Sequence, residues 1–208
     1  VGFAWGTKDK IYSSTNMALL ETPEFRAALH QPIKTYDFKR SKVLLSRLGI
    51  HLETPAFDSR LAKYLLSTVE DNTISTIARL YTDLPLETDE FVYGKGAKRV
   101  VPAEDKLLEH LAKKIAVLHA SEQVMLTKLG EHEQESLLFD MEQPLANVLA
   151  KMEIQGISVR KETLQEMEVE NKAMIDHLTQ EIYELAGEEF NINSPKQLGI
   201  LLFEKLGL

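Results

Sequence analysis

Cysteine is absent from the 208 residues of this chain, and basic residues are scarcer than acidic ones, 24 against 32, for a formal net charge of −8. The first absence excludes a disulfide framework and any thiolate metal site. The second opposes strong autonomous binding of a polyanion, which draws on clustered Lys and Arg whose phosphate contacts release counterions. Positive charge gathers only locally, at Lys39–Arg40–Lys42 and Lys95–Lys98–Arg99. A firm grip on nucleic acid must therefore come mostly from elsewhere. No apolar run reaches the roughly 18–20 residues that a membrane span needs. Val1–Trp5 gives way at once to a polar Gly6–Lys10 turn, so no cleavable signal is read. Internal repeats and low-complexity tracts are also missing. A cytoplasmic protein without membrane contact is the simplest expectation.

What remains is ordinary for a globular protein, 44% hydrophobic and 27% charged. The length suits one large domain or two smaller ones. Val1–Trp5 and Lys10–Ser13 flank a Gly6–Asp9 turn and read as a hairpin. Thr22 caps an expected helix through Leu29, with Pro23 in its first position. A strand is expected at Ile33–Tyr36, and a helix over Phe38–Leu48 that Gly49 stops. Asp58–Ser67 and Ile74–Tyr81 read as helices, Leu84–Arg99 as irregular. Ala103–Gly130 carries Leu107, Leu108, Leu111, Ile115 and Leu118 as a buried face, either one long helix or a broken pair.

Gly130 and Glu131–Glu135 mark the expected boundary, which gives domains at residues 1–134 and 135–208. The second is read as all helical apart from a turn or short strand at Gly156–Val159. Its Lys161–Ala186 helix has Leu164, Met167, Met174, Leu178, Ile182 and Leu185 near heptad spacing, interrupted by Asn171, and a strongly acidic outer face. So narrow a stripe suits a helical arm better than a globular core. Gly187 is its expected C-cap.

Few constellations carry chemistry. Gly94-Lys95-Gly96 lacks the rest of a phosphate loop. The six histidines form no ligand-spaced pair with an acidic partner, and His110 and His119 read as surface or boundary residues. Asp37 and Asp58 each precede a helix and read as caps rather than ligands. Trp5, in a candidate strand, reads as core rather than as a stacking platform. At the far end, Ser194 suits an N-cap, Pro195 the first helical position, and Gln197 the third residue of a capping box.

The string at Glu189–Leu206, E-F-N-I-N-S-P-K-Q-L-G-x-x-L-F-E-K-L, resembles the base of the thumb in the family A, or bacterial DNA polymerase I, family. Glu142–Ile157 (EQPLANVLAKMEIQGI) is similar to the segment that opens that family's polymerase region, and Tyr183–Gly187 (YELAG) to the end of its thumb helix. Gly49–Leu66 and Val92–Pro102 resemble parts of its 3′→5′ exonuclease-like domain. Nearly the whole chain is covered, in order. The resemblance implies an α/β ribonuclease H-like (DnaQ-like exonuclease) domain, N-terminally truncated, followed by an all-α thumb-base segment. It implies a fragment of a DNA-directed DNA polymerase, a nucleotidyltransferase of DNA replication and repair. Its partner would be a DNA primer–template duplex, bound through a monomeric parent protein.

In that family, proofreading uses two divalent metals held by carboxylates. The opening D-x-E would precede Val1. The second motif maps onto Asp37–Ser41 (DFKRS), with Ser41 where a metal-binding aspartate belongs. The third maps onto Leu111–Ile115 (LAKKI), with Leu111 for the tyrosine and Ile115 for the aspartate. A hydroxyl and an alkyl group cannot replace carboxylates on a hard cation, and Lys113 and Lys114 add positive charge nearby. Proofreading is therefore expected to be lost, with no catalytic residue, metal or cofactor in this fragment and Mg2+ in the parent polymerase. By the same residue-level resemblance, Asn191, Asn193, Ser194 and Lys196 are the expected DNA contacts. Their alternative role is local, as helix cap and turn. Two rival functions stay open: a metal-dependent exonuclease in its own right, and an acidic helical module that docks a protein partner.

Overall fold

The computed structural model describes residues 2–207; Val1, expected to open the first strand, and Leu208 lie outside them. Contacts divide the chain into two units, residues 1–156 and 157–208.

The first unit begins with strands β1 (Phe3–Gly6) and β2 (Ile11–Ser14), paired antiparallel with Trp5 opposite Tyr12. Gly6 is required at the turn, because a Cβ there would lie 2.2 Å from the Lys10 carbonyl oxygen. Trp5 stacks on Phe3 and Tyr12 and meets Phe25 edge-on at 5.3 Å, so it packs within the hairpin's own aromatic cluster. Helix α1 (Pro23–Leu29) has the expected Thr22 cap.

Strand β3 (Ile33–Thr35), helix α2 (Phe38–Ser46) and strand β4 (Pro55–Asp58) form a parallel βαβ unit. The two strand pairs are separate two-stranded sheets among the described residues. Four further helices follow: α3 (Ser59–Leu66), α4 (Ile74–Tyr81), α5 (Asp89–Tyr93) and α6 (Glu104–Glu131). α6 is continuous over 28 residues and packs against both hairpin strands, α3 and α4. It supplies Val117, Leu118, Met125 and Leu129 to a core shared with Phe57, Ala62, Ile74, Ile77 and Leu138. Beyond α6, a π-helical turn at Leu137–Glu142 runs into α7 (Gln143–Gln155), which lies along α2.

Three expectations need correction. The stretch Leu84–Arg99 contains α5 and a 3₁₀ turn at Gly96–Lys98, because the Thr88 hydroxyl accepts from Phe91 N at 3.2 Å and nucleates one helical turn. The buried face of α6 falls on Leu107, His110, Val117, Leu118, Ser121, Met125 and Leu129, while Leu108, Leu111 and Ile115 are only half-buried. His110, expected near the surface, is 3% exposed, because Asp89 Oδ1 pairs with its Nε2 at 2.9 Å and makes burial affordable.

The second unit is helical. α8 (Lys161–Ala186) has no buried residue, and Gly187 ends it in a left-handed conformation at φ +74°. The Tyr183 hydroxyl donates to Phe190 O at 3.0 Å, folding the following turn back onto the last turn of the helix. α9 (Pro195–Gly199) then runs into a π-helical turn at Ile200–Lys205.

Candidate nucleic-acid interface

Two regions carry the sequence-derived site residues: the place of the exonuclease motifs in the first unit, and residues 190–197 in the second.

In the first, every relevant group is used structurally. Asp37 caps α2, its Oδ1 accepting from Arg40 N at 3.0 Å, and its other oxygen pairs with Arg60. The Ser41 hydroxyl donates to Asp37 O at 2.8 Å. Leu111 lies against Gly2, where a Cβ would come within 3.0 Å of its Cδ1, and Ile115 packs on the hydrophobic core. Lys113 pairs with Glu109 at 2.7 Å and Lys114 with Asp89 at 2.6 Å, so neither cation is free. Burial alone would raise the Asp89 carboxyl's pKa, but bonds from His110 and Lys114 outweigh it and hold it below the usual range. A hydroxyl at Ser41 and an alkyl group at Ile115 offer no carboxylate to a hard cation, and among the described residues no three His, Asp or Glu side chains gather as a metal site would need.

Asp58 is the most constrained acid of the unit. It is 2% exposed, and its carboxyl accepts from Phe38 N at 2.7 Å, Arg60 N at 3.0 Å and Leu61 N at 3.2 Å. Its own N–H donates to Gln143 Oε1 at 2.8 Å, which ties the starts of α2, α3 and α7 to one residue. Burial pushes its pKa up to about 6, against the pull of those backbone bonds. The cap reading of Asp37 and Asp58 matches this geometry.

Three cations of the local basic clusters, Lys39, Lys42 and Lys95, have partners of their own. Lys42 turns inward and donates to Leu52 O and, at 3.2 Å, to Glu53 O; burial lowers its pKa. Lys39 pairs with Glu153. Gly94 is the C-cap of α5, at φ +82°, and Lys95 pairs with Glu90 at 3.4 Å, so Gly94–Gly96 forms a cap and not a phosphate cradle.

Residues 190–197 are arranged differently. The Ser194 Oγ accepts from Gln197 N at 3.4 Å, as expected of the cap. The box does not close, however. Ser194 N already donates to Asn191 O at 2.9 Å, so the Gln197 carboxamide accepts from Asn191 N instead, at 2.8 Å. Asn191 Oδ1 accepts from Asn193 N at 3.1 Å, an Asx turn. The turn is thus built from the side-chain oxygens of Asn191, Ser194 and Gln197. The Asn191 side-chain N–H2, the whole Asn193 carboxamide and the Lys196 ammonium make no bond among the described residues, and all three residues are exposed. Hydroxyl and amide donors beside one cation are the groups that bind phosphate oxygens and groove edges.

The family model described as "DNA polymerase I, ribonuclease H-like domain" matches residues 1–120. The chain belongs to this DNA polymerase I family. A second model, "DNA polymerase family A", matches residues 161–208. DNA polymerase I of Streptococcus pneumoniae is 61% identical over 209 residues, covering 100% of this chain and 24% of the relative. That of Lactococcus lactis is 57% identical over 208 residues, covering 100% and 23%, and that of Geobacillus stearothermophilus 44% over 193 residues, covering 91% and 22%. The chain therefore spans about a quarter of the length of these curated relatives. The POL domain of Pol1 from M. smegmatis, solved in complex with DNA primer-template and dNTP, shares the fold. Its TM-score is 0.70 at 24% identity, covering 90% of this chain and 31% of that one.

An α/β ribonuclease H-like domain followed by a helical segment is thus the architecture of this DNA polymerase I family member. Two polar links escaped sequence reasoning: Gln143 on Asp58 and Asp89 on His110. Both join residues far apart in the chain, and only the acid before a helix left a local trace, as a cap.

Proposed function

We propose that this chain is the non-catalytic scaffold and thumb base of a DNA-directed DNA polymerase that extends a primer 3′ end in DNA replication and repair. The observation that carries the reading is similarity along the whole chain to relatives named DNA polymerase I. In this reading residues 1–134 are the degenerate exonuclease-like part and residues 135–208 begin the polymerase part. The gap between the two family matches, residues 121–160, supports a boundary in that stretch. The parent acts as a cytoplasmic monomer on a primer–template duplex. Magnesium, bound by residues outside this chain, supplies charge stabilisation for nucleotidyl transfer.

This chain's own contribution is to hold duplex. The amides of Asn191 and Asn193 and the Ser194 hydroxyl hydrogen-bond backbone or groove-edge atoms, and Lys196 pairs with a phosphate. The Asx turn and the Gln197 bond fix the backbone beneath these groups, which lowers the ordering cost of contact. Lys196→Ala in the full polymerase tests the role. Primer–template affinity falls with little sequence preference, and the salt slope falls by about one unit. An unchanged slope would remove Lys196 from the interface.

A further inference from the structure

The turn that carries Asn191 and Asn193 is fastened from three sides. Lys205, in the π-helical turn after α9, donates to both carboxylate oxygens of Glu188, at 2.5 and 2.7 Å. From α9, the Gln197 carboxamide accepts from Asn191 N. From α8, the Tyr183 hydroxyl donates to Phe190 O, and the two rings meet edge-on with centroids 6.0 Å apart. Among the described residues Tyr183 is the one α8 side chain that bonds to the turn. Tyr183 and Phe190 are both half-buried, although α8 itself has no buried residue.

The last two bonds meet on a single peptide unit. Phe190 O and Asn191 N are its two polar ends, and a planar peptide turns only as a whole. Tyr183 holds one end to α8 and Gln197 holds the other to α9. Beyond that peptide the Asn191 side chain receives Asn193 N in the Asx turn. The direction in which both asparagines face therefore passes back through this peptide to α8.

We infer that Tyr183 is a positioning residue for duplex contact: through the 190–191 peptide it sets the angle at which Asn191 and Asn193 leave the end of α8. The inference rests on the DNA-contact reading given above. Without the hydroxyl the peptide is held from one side only. The contact-ready turn is then a smaller share of the population, and the apparent Kd rises by the inverse of that share. Lys196 stands on α9, outside this chain of bonds, so its phosphate pairing does not depend on Tyr183.

Tyr183→Phe in the full polymerase removes the hydroxyl and keeps the ring pair. Primer–template Kd should rise about 2- to 10-fold, the range that one lost hydrogen bond supports, with the salt slope unchanged. The decisive measurement is a double-mutant cycle, with the same substitution made in a polymerase that already carries Asn191→Ala and Asn193→Ala. Tyr183→Phe should then have little further effect, because the amides it positions are gone. An equal change in both backgrounds would make Tyr183 a direct contact or a general stabiliser and overturn the inference. An unchanged Kd or a fallen salt slope in the first background would do the same. If the paired asparagine variant binds as tightly as wild type, the contact role of the turn fails, and the inference with it. If that variant is weakened and Tyr183→Phe alone is not, only the positioning role fails.

Discussion

Replacing Asp58 by Asn changes one oxygen for nitrogen at the point where three helix starts meet, and it removes a titration. Burial raises the folded-state pKa from the ordinary 3.8 to about 6, outweighing the bonds from Phe38, Leu61 and Arg60 N–H groups. For an acid whose pKa is raised on folding, the folded state holds its proton more tightly than the unfolded one. The associated stability is complete only well below the ordinary 3.8 and is lost as pH rises through about 6. A shift of this size corresponds to about 3 kcal/mol. Asn at the same place does not titrate. Urea unfolding of the wild-type chain and of Asp58→Asn at about pH 4 and about pH 7 isolates the effect, because all other groups cancel in the difference. The wild-type advantage over the variant should shrink by roughly 2 kcal/mol between those pH values, because the unfolded carboxyl is already about half ionised at pH 4. A flat difference would mean that Asp58 is not desolvated. A difference that grows with pH would mean that the three N–H donors dominate, and the reasoning would be refuted.

Other outcomes follow from the same structure. A 3′-labelled single strand incubated with this chain should stay intact with magnesium and then manganese; metal-dependent shortening that copurifies with the chain would restore the exonuclease reading. Gly6→Ala should destabilise the chain by more than about 1 kcal/mol in thermal unfolding, since the added Cβ meets the Lys10 carbonyl in the hairpin turn. Deleting residues 1–134 from the full polymerase should lower its melting temperature, and an unchanged temperature would argue against a brace.

Local signals were readable in the sequence where caps and spacing agree. Thr22, Asp37, Asp58 and Ser194 all cap helices, and Gly187 ends one. β4 was not legible, because four residues opening with Pro and closing with the capping Asp58 leave no alternation to detect. His110 was misplaced because its partner Asp89 sits 21 residues away, and pairing at that distance leaves no trace in periodicity. At the candidate interface, the Ser194 cap was legible but the redirection of Gln197 to Asn191 was not. That choice depends on Ser194 N being already bonded. The expectation that Ser41 and Ile115 stand in place of metal-binding carboxylates, and Leu111 in place of a tyrosine, came only from the resemblance to the family motifs.

The placement of α6 also bears on how the chain leaves the ribosome. β1, β2, α3 and α4 all precede α6 in the chain, and all pack against it. Phe57, Ala62 and Ile77 have no core to enter until Val117, Met125 and Leu129 have been made. At a synthesis rate of about 5–20 residues per second, the interval from the hairpin to the end of α6 lasts roughly 6–25 s. During that time the apolar faces of α3 and α4 are without their α6 partner, so the core of the first unit closes only once α6 has been made.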